Sequence, residues 1–537
     1  MKGASDKNMV SQDVVVEATD QDDWDMQRLG KTQQFKKLPF LFDLRFHNDI
    51  DGHMGVNSAV SFGRAILRED TGNNGECRST STYGLTDGGR AGMVYVYIGS
   101  FVGFFAAVIS MAEIASISPT SGGQYHWVSE FAWPRCQRFL SYLTGWLSVL
   151  GWQAAFASIC YLCGTLIQGL LVFNYSDPSG WVYGFERWHG TLLTIAIAAV
   201  GTVVNTWGYK ILPPMEGLIL AIHLFGFVVV VVLMWAMSPG KASGESVWKE
   251  FTNSGEWPSM GLACLVGQLT PIFSWTGPDA ATHMSEEVQN AALVVPWCMV
   301  STALINGALG FIMLITLLYK MGDLQDVLAP ASGFSFLPAV NHATGSVAAT
   351  NAVAAIILVM EVCSAIGILA TVSRQTFAFA RDDALPFSKH LAHVNRRTQI
   401  PICSVLVSTI ITVLLSLINI GSTAAFNAVA SVMIAALFTT YILPIAAVIR
   451  VRFQPGGIPP SRFSLGIFGL AINVFSLAWL CFAIIFTFFP TANNPTPVNM
   501  NWSILVFGAV VIFAIVLYIV HGRRVYRSPV TQVRKVE

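Results

Sequence analysis

Leu218-Ile-Leu-Ala-Ile-His-Leu-Phe-Gly-Phe-Val-Val-Val-Val-Val-Leu-Met-Trp-Ala-Met237 is the stretch from which the fold can be read. It holds no formal charge and one imidazole, His223. A hydrocarbon core of about 30 Å is crossed by about 20 residues of helix, and lipid offers no partner for an unpaired backbone N–H or C=O. The stretch therefore reads as a membrane-spanning helix, with His223 as a polar packing residue inside it. Applied outward along the chain, the same test finds Met93–Ile114, Leu140–Phe173 and Thr191–Trp207 before it. After it come Met260–Thr276, Val300–Leu318, Val347–Val372, Ile402–Ile418, Ala424–Ile449, Leu465–Phe488 and Ile504–Val520. That makes eleven spans. Leu140–Phe173 is longer than a perpendicular crossing needs and is expected to tilt strongly.

Composition agrees with that reading. Of 537 residues, 53% are hydrophobic and 12% charged, with a mean hydropathy of +0.57; soluble domains carry about 25% charged residues. Formal net charge is zero, so no global field points to nucleic acid. Seven of the nine cysteines, Cys160, Cys163, Cys264, Cys298, Cys363, Cys403 and Cys481, fall in apolar runs, where a thiol acts as a small hydrophobe. No disulfide framework is implied. Cys160 and Cys163 share a helical face, but without further ligands no metal site is expected, and no cofactor.

Basic residues gather in alternate connections: Arg135 and Arg138, Lys210, Arg374 to Arg397, then Arg450, Arg452 and Arg462. The C-terminal stretch adds Arg523, Arg524, Arg527, Arg534 and Lys535. Such loops face the cytoplasm, which places the C-terminus, residues 521–537, there as a short tail. Two sequons, Asn174-Tyr-Ser176 and Asn501-Trp-Ser503, then fall on the outer face, close to the membrane. Residues 1–39 are polar, without a signal-peptide core, and are expected to be a disordered cytoplasmic tail. Eleven spans would put that tail outside, so either the topology is unusual or residues 40–90 are an anomalous segment in place of a first span. The residues there, including His47-Asn-Asp-Ile-Asp-Gly-His53 and Arg68-Glu-Asp-Thr-Gly-Asn-Asn-Gly-Glu-Cys-Arg78, cannot sit in lipid.

From Gly84 onward the chain resembles the fungal amino acid/choline transporter family, which includes the GABA permeases, within the amino acid–polyamine–organocation superfamily. The residues that carry the resemblance are Gly84-Leu-Thr-Asp-Gly-Gly89, Ala112-Glu-Ile-Ala-Ser-Ile-Ser-Pro-Thr-Ser-Gly-Gly-Gln-Tyr-His-Trp127 and Phe139-Leu-Ser-Tyr-Leu-Thr-Gly-Trp146. His283-Met-Ser-Glu-Glu-Val288, Ser373-Arg-Gln-Thr-Phe-Ala-Phe-Ala-Arg-Asp-Asp-Ala-Leu-Pro386 and Asn499-Met-Asn-Trp502 follow in the expected order. The resemblance implies an all-α polytopic membrane protein of the leucine-transporter-like kind: a five-plus-five inverted repeat plus two helices. The eleven spans would be numbers two to twelve, in a permease domain covering residues 91–520. The family's first span is missing or corrupted. A reading of residues 46–54 shifted by one base can spell Ser-Thr-Thr-Thr-Leu-Met-Ala-Thr-Trp, similar to that span's opening, so the segment from 46 to 81 is expected to be a frame error or misread intron.

Transporters of this architecture hold their substrate near mid-membrane between two broken helices. The sixth family span runs Gly267-Gln-Leu-Thr-Pro271-Ile-Phe-Ser-Trp-Thr-Gly277-Pro-Asp279. Pro271 and Gly277-Pro278 make unwinding around Phe273 to Gly277 reasonable. Ser274 and Thr276 then offer hydroxyls, Phe273 and Trp275 aromatic faces for an ammonium, and Gly277 bare backbone; a Pro-kinked span packed by aromatics is the alternative. Gln153, beside Trp152, is a candidate cavity residue or ordinary packing. Asp279 reads equally as a ligand or as a helix cap. Glu361, mid-span in Val347–Val372, costs several kcal/mol in lipid unless partnered. It reads as a proton-coupling group or counter-ion, or as a hydrogen-bonding residue between helices. Glu113 suits an interfacial structural role or coupling. Gly122 and Gly123 are expected to shape a cytoplasmic gate, and Arg374, Arg381 and Asp382 to anchor the loop there by charge pairing. Glu286 and Glu287 read as a gate or loop contact at that end, or equally as simply solvated.

The implied function is secondary active transport of an amino acid or related amine, such as GABA or choline, coupled to protons by alternating access. The protein is expected in the plasma membrane, with the vacuolar membrane as the alternative, in contact with lipid and without a nucleic-acid partner. Nothing resembles a nucleotide-binding loop, and no Ser/His or paired-Asp constellation suggests an enzyme. A nutrient sensor that binds without transport, or an inactive product lacking its first span, are the competing readings.

Overall fold

A computed structural model describes residues 84–176, 182–238, 240–328, 332–421, 423–490, 492–496 and 500–529. The segment from 46 to 81, and with it the expected defect in the first span, lies outside the described residues. Among those residues the chain is helical, without strands. The helices that matter here are α1 (Gly89–Ile117), α2 (Gln124–Phe131), α3 (Gln137–Asn174), α4 (Arg187–Thr206), α5 (Leu212–Met237), α6 (Met260–Gly267) and α7 (Leu269–Trp275). They continue with α8 (Ala280–His283), α9 (Ala291–Lys320), α10 (Val347–Arg381), α11 (Ile402–Gly421), α12 (Thr423–Arg452), α13 (Gly469–Phe486) and α14 (Ser503–Leu517).

Ten described helices are long and apolar enough to cross a membrane. The stretch that fails the test is Met260–Thr276, read from sequence as one span: it is two short helices meeting at Gln268. A proline ring clashes with the carbonyl four residues earlier. For Pro271 that residue is Gly267, where α6 ends, and Pro271 itself falls in the first turn of α7, where a missing N–H does no harm.

Two boundaries also move. The span expected over Val347–Val372 runs on to Arg381 as α10, because no Gly or Pro interrupts Ser373 to Ala380. Ser346 caps its start, accepting from the Ala349 N–H. The long Leu140–Phe173 segment is one helix of 38 residues, α3. Its extra turns carry Arg138 and Ser141 into contacts with the C-terminal segment.

The interior is built from α3, α12, α10 and α1. Their most apolar windows are 72%, 72%, 61% and 56% buried, against 11% for the helical run Ser503–Val525 that begins with α14. Lipid gives helices no hydrophobic reason to associate, so close packing and interhelical hydrogen bonds must hold them. A side chain at Gly145 would run into the Phe379 ring, which brings α3 and α10 together. Hydroxyl pairs do the same elsewhere: Thr202–Thr409 at 2.6 Å ties α4 to α11, and Ser110–Ser476 at 3.1 Å ties α1 to α13. The C-terminal ends of α1 and α12 and the start of α13 meet where Glu113 accepts from Arg452 and from the Leu465 N–H, while Arg452 also donates to Asn473. All of this lies at the end of the bundle that carries the basic connections, called the basic end below.

Candidate substrate site

After α7 the backbone leaves helical geometry. Thr276 is extended, Gly277 has φ +121, and the helix resumes only at Ala280. A side-chain-bearing residue avoids that φ, so glycine permits the turn. Compared with the sequence expectation, the irregular stretch sits further along: Phe273, Ser274 and Trp275 remain helical, and Thr276 to Asp279 unwind. All of these residues are buried.

The candidate ligands from the sequence divide into groups. Trp275 packs in an aromatic cluster with Tyr97, Phe101 and Phe104, at centroid distances of 4.7, 5.5 and 6.1 Å, and its indole N–H donates to the Tyr97 oxygen at 3.4 Å. The Ser274 hydroxyl donates to the Thr270 carbonyl at 3.2 Å and the Thr276 hydroxyl to the Ile272 carbonyl at 2.8 Å. The second bond satisfies one of the last carbonyls of α7. Phe273 is buried in the apolar core. Gln153 points elsewhere: its amide donates to Ser408 at 2.8 Å and Thr376 at 3.4 Å, bridging α3 to α11 and α10. Its neighbour Trp152 lies closer to the unwound segment, with its ring 5.7 Å from that of His283.

Asp279 is the centre of the arrangement. It begins α8 but its side chain makes no cap, so the cap reading gives way. Its carboxylate instead accepts from the Gln124 amide at 2.7 Å and the Tyr441 hydroxyl at 2.6 Å. The His283 Nε2 lies 3.8 Å from the same carboxylate, while Nδ1 is 2.9 Å from the Ser121 carbonyl. Four elements thus converge on one fully buried carboxylate: the start of α2, α8, α12 and the unwound segment. Gly123, with φ +53, lets the turn approach, since a Cβ there would lie 3.0 Å from the Thr282 oxygen and 3.1 Å from His283. Gly122 is packed against Tyr125 and His126.

A second layer lies one turn toward the basic end. Glu286 accepts from both terminal nitrogens of Arg381, at 2.9 and 2.8 Å, and from the Ser121 hydroxyl at 2.6 Å. Glu287 pairs with Arg374 at 2.9 Å, and Tyr125 donates to Asp382 at 2.9 Å. Bidentate arginine–carboxylate geometry of this kind is both strong and directional. Glu113 belongs to the strut with Arg452 described above. Glu361 is fully buried in α10.

Sequence reasoning missed Gln124 and Tyr441 as partners of Asp279. Gln124 directly follows the Gly122-Gly123 pair, and Tyr441 follows Thr439 and Thr440 in a largely apolar span; a buried acceptor elsewhere was the signal that gave either one a purpose.

The profile of the family described as "Amino acid permease" matches residues 59–510. An uncharacterized amino-acid permease of Schizosaccharomyces pombe is 29% identical over 84% of this chain and 78% of its own length. "Amino-acid permease 2" of Neurospora crassa is 29% identical over 88% and 85%. The "Choline transporter" of Saccharomyces cerevisiae is 28% identical over 83% and 78%. With ten membrane-long helices around an interrupted one, and a family profile spanning most of its length, the chain belongs to the amino acid permease family.

Proposed function

We propose that the protein is a secondary active transporter of an amino acid or related amine, GABA and choline among the candidates, working by alternating access. The observation that carries this reading is the irregular, buried backbone from Thr276 to Asp279. Non-helical backbone at membrane depth is tolerated where protein encloses it or where it lines a cavity. Backbone carbonyl and N–H groups in an unwound stretch of this kind are suited to a substrate's ammonium and carboxylate. Phe273, Ser274, Trp275, Thr276 and Gly277 supply the wall, with Gln153 as a scaffold residue behind it. Asp279 is the group assigned to sense substrate or proton, because a buried carboxylate held by two donors and an imidazole changes its surroundings when either arrives. Glu361 is a second coupling candidate. Gly122 and Gly123 form the hinge of the turn that seals the basic end, and protons supply the driving force.

The test is uptake of labelled GABA, choline and amino acids in permease-deficient yeast. Two forms are compared, the chain as it stands and one whose segment from 46 to 81 is replaced by a relative's first span. Concentrative uptake by either form, abolished by a protonophore, is the expected result. Saturable binding by both forms without uptake would overturn transport in favour of sensing. Fluorescence of a tagged chain at the cell rim rather than the vacuole checks the plasma-membrane assignment.

A further inference from the structure

Segments that follow a last span often fray, yet Tyr526, six residues beyond the last expected membrane residue, is 1% exposed. Its ring lies among Tyr142 and Phe379, at 5.3 and 6.1 Å. Its hydroxyl is 2.6 Å from the Ser141 oxygen, and its carbonyl accepts from Arg138 at 2.5 Å. Arg527 donates its backbone N–H to the Asp382 carbonyl at 3.0 Å, and the Ser528 hydroxyl is 2.7 Å from that of Ser129. The Arg527–Asp383 ion pair at 3.2 Å is more exposed and adds little.

Three residues therefore touch three separate elements. Ser129 is on α2, Arg138, Ser141 and Tyr142 are on α3, and Phe379 with Asp382 is at the end of α10. Two of those elements, α2 and α10, also meet over Asp279. Asp382 accepts from Tyr125 of α2, Arg381 beside it grips Glu286, and Glu286 accepts from Ser121 in the turn before α2. To open a path from Asp279 to the basic end, α2 and its turn must part from α10. The tail bonds to both.

We infer that Tyr526, Arg527 and Ser528 form a clasp that holds the basic end shut and must let go for that end to open. The inference rests on the alternating-access reading given above, but its physical content can be measured without transport. The tyrosine supplies the apolar contact and Ser528 the cross-link to α2. A charge at Ser528 would have to be buried beside Ser129, which is itself fully buried, so it disfavours docking strongly.

The experiment uses the full chain in lipid nanodiscs with two readouts. Tryptic cleavage after Arg523, Arg524 or Arg527, followed by intact mass, reports undocking. Maleimide labelling of a Thr120→Cys reporter, at a position 1% exposed in the turn before α2, reports opening, with the chain lacking the reporter as background. Tyr526→Ala and Ser528→Glu are each expected to raise cleavage about tenfold or more, in line with a locally unfolding segment losing its anchors, and to raise reporter labelling in parallel. Tyr526→Phe, which keeps the ring, stays near the parent. Should Tyr526→Ala fail to fold, Ser528→Glu alone decides. Equal cleavage of parent and variants would show that there is no clasp; faster cleavage with unchanged labelling would show that the tail is packing and not part of a gate. Loss of uptake alongside intact responses in both readouts would remove the transport reading and leave the clasp standing.

Discussion

Asp279 is where single residues matter most. Removing the hydroxyl in Tyr441→Phe leaves one carboxylate oxygen short of a donor, a loss of roughly 1–3 kcal/mol for a buried group. Uptake is expected to fall about tenfold with Tyr441→Phe and further with Asp279→Asn, while Gln153→Ala, remote from the carboxylate, acts on stability instead. Normalising transport to the amount of chain at the cell surface separates the two effects. Asp87, just before α1, gives a pH prediction. It is fully buried beside Trp257 and Gly255, and burial pushes its carboxyl up to about 7. A raised folded-state value means that the folded chain holds a proton the unfolded chain has released. Stability from this group is therefore full below about pH 4 and is lost as pH rises toward 7. Thermal midpoints of the parent should drop between about pH 5 and about pH 8, and Asp87→Asn should flatten that dependence; an equal drop in both would assign the dependence to other groups.

At the scale of the element, the interrupted helix was the most legible part of the site and also the part most altered by looking. Pro271, Gly277 and Pro278 announced a break in an apolar run, and the break exists. Its position shifted because Pro271 acts on the carbonyl of Gly267 rather than on the residues after it, leaving Phe273 to Trp275 helical. Gly277→Val forces a branched side chain into φ +121, at a cost of roughly 1–3 kcal/mol. Its expected effect is at least a tenfold loss of uptake with the helices intact by circular dichroism, because a displacement of about 1 Å at a positioned group is enough to cost that much or more. Preserved uptake would show that the turn is not part of the pathway. The continuation of α10 to Arg381 was hidden for the opposite reason. Polarity after Val372 marks the membrane boundary and not the helix boundary, and a helix crosses that boundary freely when no residue forbids it.

At the scale of the molecule, the basic end is held by buried ion pairs. Glu113 and Arg452 join α1 to α12, with Leu465 and Asn473 attached. Removing one partner strands a carboxylate that is 2% exposed, so Arg452→Ala is expected to lower stability by roughly 3–5 kcal/mol. Size-exclusion chromatography of heated, detergent-solubilised chain measures it, and an unshifted midpoint would show that water reaches Glu113. Membrane immersion, the spacing of the spans and the family motifs were determined by the sequence itself, because length, apolar content and helix breakers are local properties that no later contact can change. The partners of Asp279, the diversion of Gln153 to Ser408 and the docking of Tyr526 were decided only by the tertiary structure. Gln124 and Tyr441 lie 155 and 162 positions from Asp279, and which of many buried polar groups meet is set by how whole helices pack, a property that no window along the chain contains.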